Sequence, residues 1–420
     1  MSRLLRLLLI AVMLMATMPV LPAAAQKAET SLPPNCQTIP LLPSAEFYVI
    51  CLPWATPPAT FDLVIFAHGY VPINEPMEAF LPQLILSDGN TIPGIANGLG
   101  FAFATTSYSK NGLAVKEGVG DIARLVTFFK STIGTPRHIY LIGASEGGLV
   151  TTLTVEKRSD LYAGGLAMCG PIGNVRSQIN YWGDFRVLFD CFFPAYYIPN
   201  SPVDINEPLV WPNWGTTSQA IGAAVFSGGH TTEQLLRTSR APIDAADPYS
   251  VISTTVGILS YNVFATNEGK LELTGQPFDN VYRWYSGSDN DRLLNRNVQR
   301  FPADRSALTE INANYQTSGR LKVPLVTLHT TGDPIVPYWH ETLYNAKVLF
   351  SGSLLKHVNI PIVRYGHCSF KSSEALAGFV IMVWMASGLK LNNVDKALPD
   401  AAARVEFEKL MQEYSPDAKR

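Results

Sequence analysis

The segment Gly143–Gly148 (GASEGG) constrains the fold more than any other, because it joins an apolar run to a helix-forming stretch. The run is His138–Ile142, and we expect the helix to begin at Leu149. Glycines let the backbone pass through a strained turn close to its neighbours. Such a turn between a strand and a helix presents one side chain at the end of a sheet. The sequence therefore predicts that Ser145 is the nucleophile of a strand-to-helix elbow.

Short apolar runs alternate with helix-like segments along much of the chain. Runs that are rich in β-branched and aromatic residues and bounded by Pro or Gly predict strands. Besides His138–Ile142, they are Glu46–Cys51, Asp62–Ala67, Leu99–Thr105, Ala163–Met168, Val323–His329 and Ile360–Arg364. Apolar residues recur at helical spacing after Val115 and over Ser372–Ser387, and a charged helix is expected from about Ala401. Apolar strands separated by helices indicate the α/β class, with a mostly parallel sheet covered on both faces.

The alternation stops at about Pro171 and resumes at about Leu321. We therefore expect a core in two parts, residues 26–170 and 321–420, with residues 171–320 inserted as a cap. The insertion opens with aromatic residues at 182, 185, 189, 193 and 196, which share one helical face. This stripe is interpreted either as the buried core of the cap or as the lining of a substrate cleft.

The first 25 residues have the pattern of a secretory signal peptide. Arg3 and Arg6 precede an apolar run, and three alanines end at Ala25. Pro19 and Pro22 interrupt the run before it reaches the roughly 20 residues that a spanning helix needs. We expect cleavage after Ala25, a secreted or periplasmic protein, and no stable membrane insertion of the mature chain.

Charge and motif content exclude several classes of function. The chain has 32 Lys and Arg against 34 Asp and Glu, with no basic block, so nucleic acid is a poor candidate partner. The residue four after His340 is Tyr344, so HETLY lacks the second histidine of a zinc helix. The glycine clusters at 98–100 and 227–229 lack the spacing of phosphate-binding loops. We expect neither a metal nor a cofactor, and the oligomeric state stays open.

Five cysteines occur in a chain that is expected to reach an oxidising compartment. We expect Cys36 to pair with Cys51 and close a short loop. Cys169 is a candidate partner of Cys191, which leaves Cys368 unpaired, although sequence alone does not fix connectivity.

A serine nucleophile needs a base within hydrogen-bond reach and a carboxylate that orients the base. Asp333 lies in a tight turn directly after the strand Val323–His329, and His367 follows the next strand. Because the carboxyl ends of parallel strands meet at one edge of a sheet, both side chains are expected near Ser145. Ser, Asp and His in this chain order are typical of α/β-hydrolases.

Other residues compete for these roles. The acid can also follow an earlier strand, where Asp184 or Asp190 would serve. The remaining histidines lack a strand-end glycine turn in the required order, and they are His68, His138, His230, His329, His340 and His357. We expect His367 as the base and Asp333 as the acid.

Four motifs carry a resemblance to secreted members of the α/β-hydrolase superfamily: FAHGY at 66–70, GASEGG at 143–148, TTGDPIVP at 330–337 and YGHCSF at 365–370. They anchor roughly residues 40–170 and 320–390. The YGHCSF segment and the helix after it are also similar to exported relatives in the prolyl-oligopeptidase and feruloyl-esterase groups. In the tannase-type group a Cys before the nucleophile pairs with one beside the histidine, but position 144 is Ala here.

The resemblance implies an α/β-hydrolase fold and a role for each site residue. Ser145 would attack a carbonyl carbon, His367 would take and return the proton, and Asp333 would orient His367. The backbone N–H groups of Tyr70 and Glu146 would form the oxyanion hole. The side chain of Glu146 is interpreted either as a group that meets the substrate or as a local helix partner.

The expected function is hydrolysis of small or polymeric carboxylic esters through an acyl-enzyme. One alternative is a peptidase or amidase of the prolyl-oligopeptidase-like type, which would need a charged anchor for a peptide terminus. Candidates for that anchor are Asp279, Arg283, Asp289 and Asp291. The other alternative is a catalytically silent hydrolase fold that acts as a binding module.

Overall fold

The computed structural model describes residues 32–391 and 394–415. The predicted signal peptide, residues 1–25, lies outside the described residues. Within the described part, the strands form one eight-stranded sheet and one two-stranded ribbon. The strands are β1 (Cys36–Pro40), β2 (Phe47–Cys51), β3 (Leu63–Ala67), β4 (Ala102–Thr106), β5 (Ile139–Ala144), β6 (Gly164–Met168), β7 (Asn200–Ser201), β8 (Asp204–Ile205), β9 (Leu325–Gly332) and β10 (His357–Tyr365).

Helices follow most of these strands. They are α1 (Ile92–Gly98), α2 (Val115–Thr132), α3 (Glu146–Lys157), α4 (Val175–Phe192), α5 (Glu207–Val210), α6 (Trp214–Ser227), α7 (His230–Ser239), α8 (Ser250–Glu272), α9 (Asp291–Asn297), α10 (Arg305–Glu310), α11 (Trp339–Phe350), α12 (Ser372–Ser387) and α13 (Ala401–Tyr414). Shorter helical turns lie at Met77–Leu84, Pro194–Tyr196, Ile311–Tyr315, Leu354–Lys356 and Val394–Ala397.

Eight strands form one sheet in the order β1-β2-β4-β3-β5-β6-β9-β10, and β7 pairs with β8 in a separate ribbon. β2 runs antiparallel to β1 and β4, and the other neighbours are parallel. Every residue of β3 and β4 is buried, as expected for strands with helices on both faces. The predicted α/β class, with a mostly parallel central sheet flanked by helices, is confirmed.

Apolar side chains fill both faces of the sheet. On one face, α2 and α3 contribute Ile122, Phe129 and Leu153 to a buried cluster with the strands. On the other face, α12 contributes Phe379 and Val383 to a second cluster. The prediction missed β1, because its sequence CQTIP is half polar and lies at the sheet edge, where little side-chain burial is needed.

Between β6 and β9 the chain leaves the sheet and forms α4 to α10 with the β7–β8 ribbon. This part has its own buried cluster, which includes Phe185, Phe189 and Phe193 of the aromatic stripe. Trp182 of the same stripe borders a cavity, and Tyr196 is 42% exposed. Both interpretations of the stripe therefore hold in part. Phe185, Phe189 and Phe193 belong to the core of the insertion, and Trp182 lines a cavity.

Two disulfides are present, and one of them corrects the sequence-based expectation. Cys36 pairs with Cys51 as predicted. Cys169 pairs with Cys368, whereas Cys191 is free, so the expected Cys169–Cys191 pair and an unpaired Cys368 are wrong. Cys169 directly follows β6 and Cys368 follows β10, which brings both to the same edge of the sheet.

No helix within residues 32–391 and 394–415 combines the length and the apolar character that crossing a membrane requires.

Candidate active site

The elbow at Ser145 has the strained backbone that its sequence predicts. Ser145 has φ 57° and ψ −122°, and its N–H donates to the Met168 carbonyl of the neighbouring strand at 2.9 Å. A side chain at Gly147 would overlap the Ala67 carbonyl, and one at Gly143 would overlap the backbone of Gly147. The helix begins at Glu146, earlier than the predicted Leu149, because the turn leads into it with no intervening loop.

The structure brings Ser145, His367 and Asp333 together at the carboxyl ends of their strands. The His367 Nε2 atom lies 2.9 Å from the Ser145 Oγ, and its Nδ1 atom lies 2.7 Å from Asp333 Oδ2. Gly332 pairs with Tyr365 in the sheet, so Asp333 and the His367 loop leave it side by side. These contacts form a continuous hydrogen-bonded chain from carboxylate to hydroxyl.

Asp333 is fully buried and accepts several hydrogen bonds. Its Oδ1 atom accepts from the backbone N–H groups of Ile335 and Val336, each at 2.9 Å. Burial on its own raises the pKa of Asp333, but His367 and His329 lower it to about 2. The carboxyl group is therefore an anion at neutral pH and favours an N–H on the facing histidine nitrogen.

A second histidine, His329, lies on the other side of Asp333. Its Nε2 atom is 2.7 Å from the Val336 carbonyl and 3.5 Å from Asp333 Oδ2, and its Nδ1 atom is 3.1 Å from Glu341. Burial on its own lowers the pKa of His329, but Asp333 and Glu341 raise it to about 10. His329 is thus a buried cation that holds Asp333 rather than a base for Ser145.

The alternative acids lie elsewhere. Asp184 pairs with Arg283 at 2.7 Å and accepts from the Tyr285 hydroxyl at 2.7 Å. Asp190 pairs with Arg186 at 2.9 Å inside the insertion. Neither contacts His367, so Asp333 is the carboxylate that the structure places on the histidine.

Tyr70 and Glu146, whose N–H groups are the predicted oxyanion donors, border the same cavity as Ser145. Glu146 is the first residue of α3, and the first N–H groups of a helix have no partner within it. Tyr70 follows Gly69, whose N–H donates to the Gln83 side chain at 2.6 Å. A Cβ at Gly69 would lie 3.0 Å from the Ser145 Cβ, so glycine allows this loop to approach the serine.

The Glu146 side chain points into the protein. It is 7% exposed, and its Oε1 atom accepts from the Ala114 N–H at 3.1 Å, at the start of α2. Burial is the main cause that holds the pKa of this carboxyl well above its usual range. Glu146 borders the cavity beside Ser145, where its side chain is held by the Ala114 N–H.

The Cys169–Cys368 disulfide lies against the histidine. The Cys368 Sγ atom is 3.5 Å from His367 Nε2. The same loop is held by the Thr330 hydroxyl, which donates to the Gly366 carbonyl at 2.6 Å, and by Arg364, which donates to the Ser369 carbonyl at 2.6 Å. A covalent bond and two hydrogen bonds thus fix the loop that carries His367.

Helix α4 of the insertion docks on the turn that carries Asp333. The Tyr181 hydroxyl donates to the Pro334 carbonyl at 2.8 Å. Trp182 Nε1 and Gln178 Nε2 donate to the Ile335 carbonyl at 3.0 and 2.9 Å. The insertion is therefore tied to the site by side chains that no motif in the sequence indicated.

A cavity of about 120 Å³ lies between Ser145 and the insertion. Apolar side chains dominate its walls, which come from the core, from α4 and from α8. They include Leu113, Val115, Leu149, Val175, Ile179, Trp182, Tyr261, Ala265, Leu273, Phe278 and Val336. A dry apolar cavity of roughly 150 Å³ holds one benzene-sized molecule, so this space suits a compact apolar group.

The predicted peptide anchors are not on these walls. Asp279 pairs with Arg176 at 3.0 Å, and Asp289 contacts His230 and Arg237 at 2.6 and 3.2 Å. Asp291 accepts from Ser288 at 2.6 Å, and Arg283 pairs with Asp184. Each of these charges is engaged within the insertion.

Within the described residues, one group of side chains has the spacing of metal ligands. It comprises Cys169, His367 and Cys368, whose possible ligand atoms lie within 4.8 Å of one another. Both sulfur atoms belong to the disulfide, so only the imidazole remains as a donor. This grouping is therefore a covalent brace beside the histidine, with too few donors to form a metal centre.

No family model and no curated protein sequence matches this chain. Solved structures do: Candida antarctica lipase A has TM-score 0.41 and 12% identity over 89% of this chain and 85% of that chain. The cell wall degrading esterase LipA from Xanthomonas oryzae has TM-score 0.39 and 14% identity over 84% and 86%. Pyrococcus horikoshii acylaminoacyl peptidase has TM-score 0.40 and 13% identity over 86% of this chain but only 43% of the peptidase. At this level of similarity, function has to be argued from the site itself.

Proposed function

We propose that this chain is a serine hydrolase that cleaves carboxylic esters through an acyl-enzyme on Ser145. One observation carries the proposal: the hydrogen-bonded chain from Asp333 through His367 to the Ser145 hydroxyl, which opens into an apolar cavity. A hydroxyl with this pair of partners is activated as a nucleophile at neutral pH.

The geometry supports the following sequence of steps. Ser145 Oγ forms a bond to the ester carbonyl carbon while its proton moves to His367 Nε2. The carbonyl electron pair moves to the oxygen, which the N–H groups of Tyr70 and Glu146 stabilise. His367 then protonates the leaving alcohol. Water attacks the acyl-enzyme by the same route, and the acid is released.

An ester is favoured over a peptide because of the charges at the site. The walls of the cavity are mostly apolar, and burial raises the pKa of Glu146, the carboxyl group that borders the cavity. The four residues considered as anchors for a charged peptide terminus are engaged within the insertion. An uncharged acyl or alcohol group is the better match to such a surface.

Export is part of the proposal. Disulfides persist in oxidising compartments and are rare in the cytosol, and this chain has two. Together with the leader-like N-terminal sequence, they support a secreted or periplasmic enzyme.

The test combines labelling and turnover on the purified protein. A fluorophosphonate should label the wild type but not Ser145→Ala. The control variant Ser218→Ala, which removes a hydroxyl at the surface of the insertion, should still be labelled. p-Nitrophenyl esters should give a burst of one equivalent, and Ser145→Ala should lose about 10⁶-fold in kcat. Labelling without ester turnover, but with cleavage of an aminoacyl anilide, would move the assignment to an amidase. Absence of labelling would leave the binding-module alternative.

A further inference from the structure

Helix α8 (Ser250–Glu272) of the insertion lines the cavity that contains Ser145, and it is held to the core near its start. The Tyr365 hydroxyl lies 2.8 Å from Thr254 Oγ1 and 3.0 Å from Ser253 Oγ. Tyr365 is the last residue of β10, two positions before His367. The start of α8 is therefore fixed to the strand that positions the histidine.

The second half of α8 is held to the other loops of the site. The Tyr70 hydroxyl donates to the Phe264 carbonyl at 3.1 Å. The buried Glu268 carboxylate accepts from the Leu113 N–H at 2.9 Å and from Lys110 Nζ at 3.0 Å. Anchors at both ends and near the middle make α8 a fixed roof over the cavity.

Tyr261 lies on the part of α8 between these anchors and borders the same cavity as Ser145. Its ring stacks on Trp182, with centroids 4.8 Å apart and an interplanar angle of 15°, and it packs against Tyr70 at 5.7 Å. Trp182 is itself fixed by its hydrogen bond to Ile335. The ring of Tyr261 therefore has one defined position.

Tyr261 and Ser145 line the same cavity, and their side chains are close enough to interact. Burial and the nearby Asp333 and Glu146 carboxyls raise the pKa of Tyr261, and the neighbouring Ser145 side chain lowers it. The net direction is upward, so the phenol keeps its proton at neutral pH. Within the described residues no hydrogen bond to another side chain or to the backbone occupies this hydroxyl, in contrast to those of Tyr70 and Tyr365.

We infer that Tyr261, a residue of the insertion, is a further hydrogen-bond donor to the reacting centre. It lies beside Ser145 in the free enzyme and donates to the carbonyl oxygen of the bound ester, where negative charge develops as the Oγ–carbon bond forms. The proton of Ser145 still moves to His367, and Tyr261 keeps its own proton throughout. The inference rests on the proposed serine hydrolase function and adds the insertion to the reacting machinery.

The test is Tyr261→Phe, which removes the hydroxyl and keeps the stacked ring. Loss of a single oxyanion-hole donor lowers kcat by about 10²- to 10³-fold, and a donor shared with the nucleophile should cost roughly 10- to 100-fold. KM for a p-nitrophenyl ester should stay within about twofold, because the apolar walls are unchanged. The rate constant of fluorophosphonate labelling should fall in parallel with kcat, since both reactions need attack by Oγ.

Tyr162→Phe is the matched control, because Tyr162 is buried in the core and its hydroxyl has no hydrogen-bond partner. It should leave kcat and the labelling rate at the wild-type level. Active sites are counted by fluorophosphonate titration, so a misfolded fraction does not lower the measured kcat.

The outcomes separate the two proposals. A Tyr261→Phe enzyme with kcat and labelling rate within twofold of the wild type overturns the inference and leaves the serine hydrolase proposal intact. A rise in KM or a lower melting temperature with unchanged kcat also overturns it, because that result assigns Tyr261 to packing alone. A wild type that neither labels nor hydrolyses esters contradicts the proposed function itself.

Discussion

Two regions meet at the cavity, and they hold their residues by different means. Ser145, Asp333 and His367 stand at the ends of three parallel strands, where the hydrogen-bonded sheet sets their positions. The residues that close the cavity on the opposite side stand on α4 and α8 and are held by side-chain hydrogen bonds at separate points, such as those of Tyr365 and Trp182.

This difference sets the size of the effects that substitutions should have. At the sheet edge each group forms one link of a chain, so the loss of one link should remove most of the rate. In the roof the anchors are distributed, so the loss of one should shift binding or rate modestly. Substitutions in the two regions therefore test whether the sheet edge and the roof differ in the size of their effects.

Asp333→Asn should have the largest effect at the sheet edge. Asparagine can still accept from Ile335 and Val336, but its amide group then faces His367 Nδ1 and favours the tautomer that cannot accept the serine proton. We expect about a 10⁴-fold loss of kcat in a protein with a native near-UV circular dichroism spectrum.

Asp184→Asn is the matched control, because Asp184 was the competing acid and pairs with Arg283 instead. Its kcat should stay within a few-fold of the wild type. If Asp184→Asn were the more damaging change, the assignment of the acid would be wrong.

The two disulfides offer a comparison with the next largest effect. Cys36–Cys51 joins β1 to β2 across a separation of 15 residues, and Cys169–Cys368 braces the histidine loop across 199. In the chain-entropy model these loops contribute about 3 and about 5 kcal/mol to the free energy of unfolding. We expect both Cys→Ser pairs to be less stable in urea unfolding, and only the Cys169/Cys368 pair to lower kcat. Equal kcat values in the two variants would show that the Cys169–Cys368 disulfide does not position His367.

The sequence predicted the parts of the site that have local signals. Gly143–Gly148 and the turn after β9 mark strand ends on their own, so Ser145 and Asp333 could be placed without knowing their neighbours. The Cys169–Cys368 pair could not, because Cys191 is much nearer in sequence and only the order of β6, β9 and β10 brings Cys368 close. No pattern in the sequence marks Tyr261, since its position beside Ser145 depends on how α8 packs on the core.

His329→Gln tests how the buried cation supports the sheet edge. Asp333 and Glu341 raise the pKa of His329 to about 10, above the value near 6.5 of an unfolded chain. Its contribution to stability is therefore complete below pH 6.5 and is lost as the pH rises towards 10. Each unit of pKa separation corresponds to about 1.4 kcal/mol.

The stability advantage of the wild type over His329→Gln should thus shrink between pH 6.5 and 10, as measured by urea unfolding at several pH values. Glutamine keeps a donor for the Val336 carbonyl, so the variant removes the titration with little loss of packing. An advantage that is constant over this range would show that the histidine does not carry the charge.

Tyr365→Phe should have the smallest effect and tests the roof. It removes the hydroxyl that bonds Thr254 and Ser253, which should cost about 0.5–1.5 kcal/mol of stability. Because α8 forms one wall of the cavity, we expect a several-fold higher KM for an ester whose acyl group fills the cavity and little change for an acetate. Tyr338→Phe loses a comparable hydrogen bond, 2.7 Å to Asn359, outside the cavity walls. That control should lose similar stability without changing either KM, and if both variants raised KM alike, the anchors of α8 would have no specific part in shaping the site.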